Sequence, residues 1–294
     1  MIERILFMKI LFYDADGTVL TKNKIYESTY EAFRLLKANG ILTVLSTGRS
    51  LPSIKSTALE DLGLSNCITA AGGCIIIDNQ IVSHDYLTEE QRDEITDYFD
   101  QYHVPYNIEC NDGLYTRIGE KERQLRRMPI TLEEAGSLAE VKRNKDRRNH
   151  FLKQLKEVES FKSMHVNKIH WYEDKRMYDD GIITKTVEDI QEHFSSRYNV
   201  NPLSYNGNRG GGEINDKAIT KKKGVDMMMK HFHIDPDDAY AIGDGYNDLQ
   251  MLENVKHSIA MGNAPEDVKK VCSYVTDAID EDGFYNAMKH YHLI

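Results

Sequence analysis

The segment ILFMKILFYD, ending at Asp14, is almost continuously apolar, and the chain then adds a second carboxylate at Asp16, a glycine at Gly17 and Thr18. An unbroken apolar run differs from the alternating pattern of a half-exposed strand. It is the pattern of a strand that a parallel sheet buries on both faces. Two like charges at the end of such a strand leave two choices. The chain can bend into a solvated turn, for which Asp and Gly are favoured residues. Or it can hold both carboxylates where something else neutralises them.

The sequence that follows repeats the opening pattern. STYEAFRLLKANG has helical spacing at Tyr30, Phe33 and Leu36 and stops at Gly40. ILTVLSTGR is a second buried strand, LPSIKSTALEDLGL a short helix with Pro52 near its start, and CITAAGGCIIID a third strand region broken by a glycine pair. Repeated β-α-β units predict an α/β fold with a doubly wound, mostly parallel, Rossmann-like sheet. From about Ser83 the texture changes to polar helices and tyrosine-rich strands, with NKIHWYED and NPLSYN among the latter. DAYAIGDGYNDLQMLENV and HSIAMGNAPEDVKKVCSYVT then return to strand, loop and helix. The expected organisation is a core of residues 1–83 and 210–294 with an α+β cap domain inserted at 84–209. Hinges are expected near Ser83 and the Gly210–Gly212 run.

Composition narrows the function. The formal net charge is −10, which argues against nucleic acid or an anionic membrane as a partner. The balance is uneven, with 12 Lys and Arg against 6 Asp and Glu between Arg117 and Lys156, which reads first as a solvated helical face. No apolar run approaches a membrane span, so a P-type pump is excluded. Glu3, Arg4 and Lys9 break the N-terminal run, so it reads as the first strand rather than a signal peptide, and Met8 is an alternative start. Cys67, Cys74, Cys110 and Cys272 lack metal-site spacing and suit buried thiols in a reducing cytoplasm.

Three more strand ends carry polar residues suited to chemistry. VLSTGR sets Thr47 and Gly48 after a buried strand, where a hydroxyl and backbone N–H groups can hold phosphate oxygens. EINDKAITKKKGVDMMM supplies Lys217, Lys221, Lys222 and Lys223, most of which read as solvated. AIGDGYND sets Asp244 after a strand and Asn247 and Asp248 at a helix entry, where Asn and Asp also serve as caps. Each segment alone reads equally well as a turn. Together they describe carboxylates, a lysine and a hydroxyl converging on one crevice, a set that suits Mg²⁺ and a bound phosphate.

The segments DADGT, STGR, the lysine before KKGVDMM, GDGYNDLQML, AMGNAPEDVK and EDGF closely resemble the haloacid dehalogenase superfamily, and more narrowly its Cof-type phosphatases. The resemblance covers about residues 8–82 and 210–290. It implies a Mg²⁺-dependent phosphatase acting on a small phosphorylated metabolite, a sugar phosphate or similar. By that resemblance Asp14 is the nucleophile, Asp16 the general acid and base, and Thr47 with Gly48 the phosphoryl grip. Lys221, seven residues after the Glu213-Ile214 pair, neutralises charge. Asn247 lies near the phosphate. The metal ligands are Asp14, Asp16 through its backbone carbonyl, Asp244, and Asp248 as ligand or support. Where these proteins often read Asn-Gly, this chain reads Ala71-Gly72, so a side-chain contact is expected to be missing. Tyr115, Tyr205 and Arg209 are candidate cap contacts to substrate.

The competing readings are a phosphomannomutase-like phosphomutase, a receiver-type signalling module and a non-catalytic phosphate-binding protein. The receiver is shorter and has no use for an acid two residues after its nucleophile. The expected assembly is a monomer or homodimer.

Overall fold

In the computed structural model, residues 8–55, 57–125, 131, 133, 136–173, 185–205 and 208–294 are described. The chain divides into two compact units, Met1–Asp85 with Ile219–Ile294, and Tyr86–Ala218.

The first unit opens with β1 (Ile10–Tyr13), α1 (Glu27–Ala38), β2 (Leu42–Ser46), α2 (Leu51–Ile54), β3 (Cys67–Thr69), β4 (Cys74–Ile77) and β5 (Gln80–His84). The second contains α3 (Glu89–Gln101), β6 (Tyr106–Cys110), β7 (Gly113–Arg117), α4 (Glu120–Leu125), α5 (Leu138–Gln154), β8 (Leu155–Val158), β9 (Val166–Tyr172), α6 (Val187–Phe194), β10 (Tyr198–Tyr205) and β11 (Asn208–Asp216). The first unit then resumes with α7 (Lys221–His231), β12 (Ala239–Gly243), α8 (Leu249–Leu252), β13 (His257–Ala260), α9 (Glu266–Val271), β14 (Tyr274–Val275) and α10 (Gly283–His290).

The first unit's sheet has the order β14-β13-β12-β1-β2-β3-β4-β5. It is parallel from β14 to β3 and antiparallel for β4 and β5. Both faces are covered, which is why the strands are apolar without alternation. Leu11 and Tyr13 of β1 pack in one cluster with Ala32, Leu36 and Phe284, while Ile10 and Phe12 pack on the other side with Val225, Met228 and Leu252. The chain runs from β1 to β2 and β3 on one side, and from β12 to β13 and β14 on the other. The order therefore reverses between β1 and β12, the position where open α/β sheets take ligands beyond the carboxyl ends of their strands.

Two expectations are corrected here. CITAAGGCIIID is not one interrupted strand but a hairpin, with β3 and β4 antiparallel about a turn at Ala70–Gly72. Ala70 and Ala71 both adopt left-handed backbone there, at φ 51° and 58°.

The Gly210–Gly212 run is strand rather than hinge. It lies in β11, which pairs with β9 and β10 in the second unit's six-stranded sheet, ordered β10-β11-β9-β6-β7-β8. Gly211 has φ +122°, and a Cβ there would sit 2.1 Å from the Trp171 carbonyl oxygen. The glycine thus serves close approach of backbones. Because β11 belongs to this sheet, the chain returns to the first unit at Ile219, later than residue 210. The second unit's core packs Ile95 and Phe99 of α3 and Ile190 and Phe194 of α6 on Ile108, Ile169, Trp171 and Ile214 of the sheet.

Candidate active site

Three neighbouring parallel strands end in polar residues. β12 leads through Gly243 to Asp244, β1 to Asp14, and β2 to Thr47. The Asp14 amide continues the ladder by donating to the Ile242 carbonyl at 3.0 Å, so its position is fixed by the sheet. Lys221 is the first residue of α7. Thr220 caps that helix by accepting the Lys223 N–H at 3.2 Å, which fixes where Lys221 starts.

The lysine is buried, and its Nζ donates to Asp14 Oδ1 and to Asp248 Oδ1, both at 2.5 Å. The second oxygen of Asp248 accepts the backbone N–H groups of Asp244 and Gly245, at 3.0 and 2.9 Å. Asp248 is therefore engaged on both oxygens. It clamps the lysine to the turn that carries Asp244.

Asp14, Asp244 and Asp248 each offer a carboxylate oxygen within 4.8 Å of the others. Three carboxylates and one ammonium in a buried space leave a surplus of negative charge, which is costly away from water. The ionisation shows the strain. Burial, then the charge of Asp248, push the Asp14 carboxyl up to about 8, with Lys221 pulling the other way. Burial and Asp248 likewise push Asp244 up to about 7, opposed by the hydrogen bond from Thr18. Burial works against the charge of Lys221, but Asp14 and Asp248 outweigh it and raise its pKa above the usual lysine value. An all-oxygen, acid-rich donor set of this kind fits a hard divalent cation.

Two residues that sequence reasoning left without a role complete the cluster. Thr18 Oγ1 donates to Asp244 Oδ1 at 3.1 Å. Asn263 Nδ2 donates to the Gly17 carbonyl at 3.0 Å and to Asp244 Oδ2 at 3.3 Å, while its Oδ1 accepts from the Ile279 N–H. Both lie in segments that carry the family resemblance, DADGT and AMGNAPEDVK, which was the available signal. Gly17 sits at φ +84°, and a Cβ there would come within 2.1 Å of Asp244 Oδ2. The turn after β1 accepts no side chain without displacing that carboxylate.

The remaining expected residues are placed differently. Thr47 is buried, its Oγ1 accepting the Arg49 N–H at 3.2 Å and its carbonyl the Ala71 N–H at 3.0 Å. Position 71 thus contributes through its backbone. Gly48 and Asn247 come together, for a Cβ at Gly48 would lie 4.0 Å from Asn247 Nδ2. The side chain of Asp16 does not join the carboxylate cluster. It is exposed and paired with Arg49.

Lys222 pairs with Asp226 on the surface, Lys223 with Asp85 in a half-buried pair, and Lys217 bonds the Ser195 and Ser196 carbonyls in the second unit. Tyr115 packs in the second unit's core. Tyr205 and Arg209 are strand residues whose side chains lie outside the described set.

A family model described as haloacid dehalogenase-like hydrolase matches residues 11–288. The chain belongs to that family. Among proteins similar to this hydrolase, the putative phosphatase YkrA of Bacillus subtilis is 26% identical over 290 residues, covering 97% of this chain and 98% of the relative. The 5-amino-6-(5-phospho-D-ribitylamino)uracil phosphatase YwtE of the same organism is 26% identical over 298 residues, covering 94% and 95%. The solved structure of the subclass IIB sugar phosphatase BT4131 superposes with a TM-score of 0.73 at 23% identity, covering 98% and 100%. The fold is that of subclass IIB, an α/β core with an inserted second sheet, and the enzyme is a haloacid dehalogenase-type phosphatase of the Cof type. Among the described residues no helix is long and apolar enough to cross a membrane.

Proposed function

We propose that this phosphatase hydrolyses a phosphorylated sugar or sugar-alcohol metabolite through an aspartyl-phosphate on Asp14, with Mg²⁺ held by Asp14, Asp244 and the backbone carbonyl of Asp16. The observation that carries the reading is the buried Lys221 ammonium, 2.5 Å from both Asp14 and Asp248 beside the third carboxylate of Asp244. Burial and Asp248 work against the charge of Asp14; the fixed Lys221 ammonium, joined by a divalent cation, would favour the ionised carboxylate that a nucleophile requires.

Asp14 attacks phosphorus, and the bond to the leaving oxygen breaks as the new bond forms. Asp16 gives the departing alkoxide a proton and later takes one from the attacking water. Thr47 Oγ1 and the Gly48 amide hold phosphoryl oxygens, and Lys221 offsets the charge that builds on them. Asp248, which accepts one bond on Oδ1 and two on Oδ2, holds Lys221 and the Asp244 turn in place and serves the ion as ligand or support. Bound Mg²⁺ supplies charge neutralisation and orientation. The substrate class is supported by two similar proteins, one named for a phosphoribitylamino compound and one called a sugar phosphatase.

The test is hydrolysis of p-nitrophenyl phosphate with and without Mg²⁺ and chelator, then a panel of sugar phosphates. Activity that depends on Mg²⁺ and extends to sugar phosphates is expected. Activity indifferent to chelator would overturn the metal assignment, and phosphate release confined to other compound classes would overturn the substrate class.

A further inference from the structure

Arg49 ends the STGR segment and has no part in the roles assigned above. Its guanidinium forks onto Asp16, with Nε donating to Oδ2 at 2.6 Å and a terminal nitrogen, Nη2, to Oδ1 at 2.8 Å. The arginine is held at three further points. Its amide donates to Thr47 Oγ1 at 3.2 Å, its carbonyl accepts from the Ala70 N–H at 2.8 Å, and Nη1 donates to the Ser53 carbonyl at 3.1 Å. The side chains of Asp16 and Arg49 are 57% and 30% exposed. An ion pair this wet adds little to stability. What a bidentate fork adds is direction.

We propose, building on the phosphatase reading above, that Arg49 is a positioning residue that fixes the Asp16 carboxyl in the one orientation that meets the leaving-group oxygen. An exposed aspartate without a partner samples several rotamers. Proton transfer needs the carboxyl within about 2.6–3.2 Å of the oxygen it serves. The fork takes two of the roughly four lone-pair sites of a carboxylate and leaves the others open to a leaving group. Because Arg49 is also bonded to Thr47, the proton donor and the phosphoryl grip share one frame. The ordinary reading of this contact is a surface ion pair at the rim. The guanidinium's further bond to the Ser53 carbonyl, on a backbone itself pinned at Thr47 and Ala70, separates it from that reading.

The experiment compares wild type, Arg49→Ala, Arg49→Lys, Asp16→Ala and the Arg49→Ala/Asp16→Ala double variant. Two substrates are used, p-nitrophenyl phosphate and the alkyl phosphate that wild type hydrolyses fastest. The aryl ester departs readily and needs little proton donation; the alkyl ester needs it fully. Arg49→Ala should lower kcat on the alkyl ester by about 10- to 100-fold more than on the aryl ester, with KM little changed, as expected for a misaligned acid. Arg49→Lys keeps the charge without the fork and should remain impaired, and it carries the test if the alanine variant does not fold. The double variant should be no slower on the alkyl ester than Asp16→Ala alone, because one effect acts through the other.

Equal losses on both esters would overturn the role. So would a change confined to KM, which would make Arg49 a direct substrate contact, or a double variant slower than Asp16→Ala by the full Arg49 factor. A wild-type protein inactive on every phosphate ester would instead overturn the phosphatase reading itself, and this role with it.

Discussion

Each unit of the chain buries a lysine between two carboxylates. In the first, Lys221 lies 2.5 Å from Asp14 and from Asp248. In the second, Lys168 lies 2.5 Å from Glu213 and 3.3 Å from Glu109. Both lysines are buried, and in both the neighbouring carboxylates outweigh burial and raise the lysine pKa.

The settings differ. Lys168 is a mid-strand residue of β9, register partner of Glu109 on β6 and flanked on the other side by β11. Its partners come from strands already paired to its own, so the charges reinforce one register. Lys221 instead joins a strand end, a turn and a helix start, and a third carboxylate, Asp244, stands beside it. A buried ion triad by itself is therefore no sign of chemistry. Surplus acid at the carboxyl ends of strands is.

The largest effect that would sharpen this contrast is on Asp14. Replacing it with Asn keeps shape and removes the attacking charge. Turnover should fall by about 10⁴-fold or more, as for loss of a nucleophile elsewhere, while the melting temperature holds or rises. A near wild-type rate would break the contrast.

Next comes Lys168→Met, which leaves two carboxylates without their ammonium. It should destabilise by about 3–5 kcal/mol in urea unfolding, with kcat per folded molecule unchanged. Lys221→Met should instead eliminate turnover. If Lys168→Met silenced the enzyme at wild-type stability, the two triads would not differ as described.

A third effect is on pH dependence. In the folded chain burial, then the charge of Asp248, pushes the Asp14 and Asp244 carboxyls up to about 8 and about 7. The folded state therefore binds more protons than the unfolded state above pH 4, where free aspartates have ionised. Stability of the metal-free protein should fall as pH rises from about 4 to about 8. Saturating Mg²⁺ should flatten that slope, because the ion favours the ionised carboxylates. Thermal melts across pH with and without Mg²⁺ read this directly, and a slope unaffected by the ion would count against the metal site.

The smallest effect concerns Thr18. Thr18→Val removes the donor to Asp244 and should weaken Mg²⁺ activation about tenfold, within the range for partners of metal ligands. A titration of rate against Mg²⁺ checks it, and an unchanged midpoint would remove Thr18 from the site.

Much of the core was legible because its signals are local. A buried strand ending in Asp14, Asp244 or Thr47 carries both the strand and its polar end within ten residues, and the reversal of chain order then sets these ends side by side. Arg49, Thr18 and Asn263 were not legible as site residues, since each acts through a partner reached only by folding. Thr18 and Asp244, for example, are 226 positions apart. The β3–β4 hairpin was hidden because its turn uses left-handed alanines, which no residue preference marks. The glycines of β11 read as a hinge because the Trp171 backbone they admit belongs to another strand. Freedom and crowding both select glycine, and sequence alone does not separate them.

The most direct test of the central claim is to locate the covalent phosphoryl group. An Asp16→Asn variant, supplied with Mg²⁺ and p-nitrophenyl phosphate, should form the phosphoenzyme readily but hydrolyse it slowly, because the base for water is missing. Acid quenching and peptide mapping by mass spectrometry should then place the phosphoryl group on Asp14. A phosphoryl group on any other residue, or p-nitrophenol release at the wild-type rate with Asp14 unmodified throughout, would contradict the account.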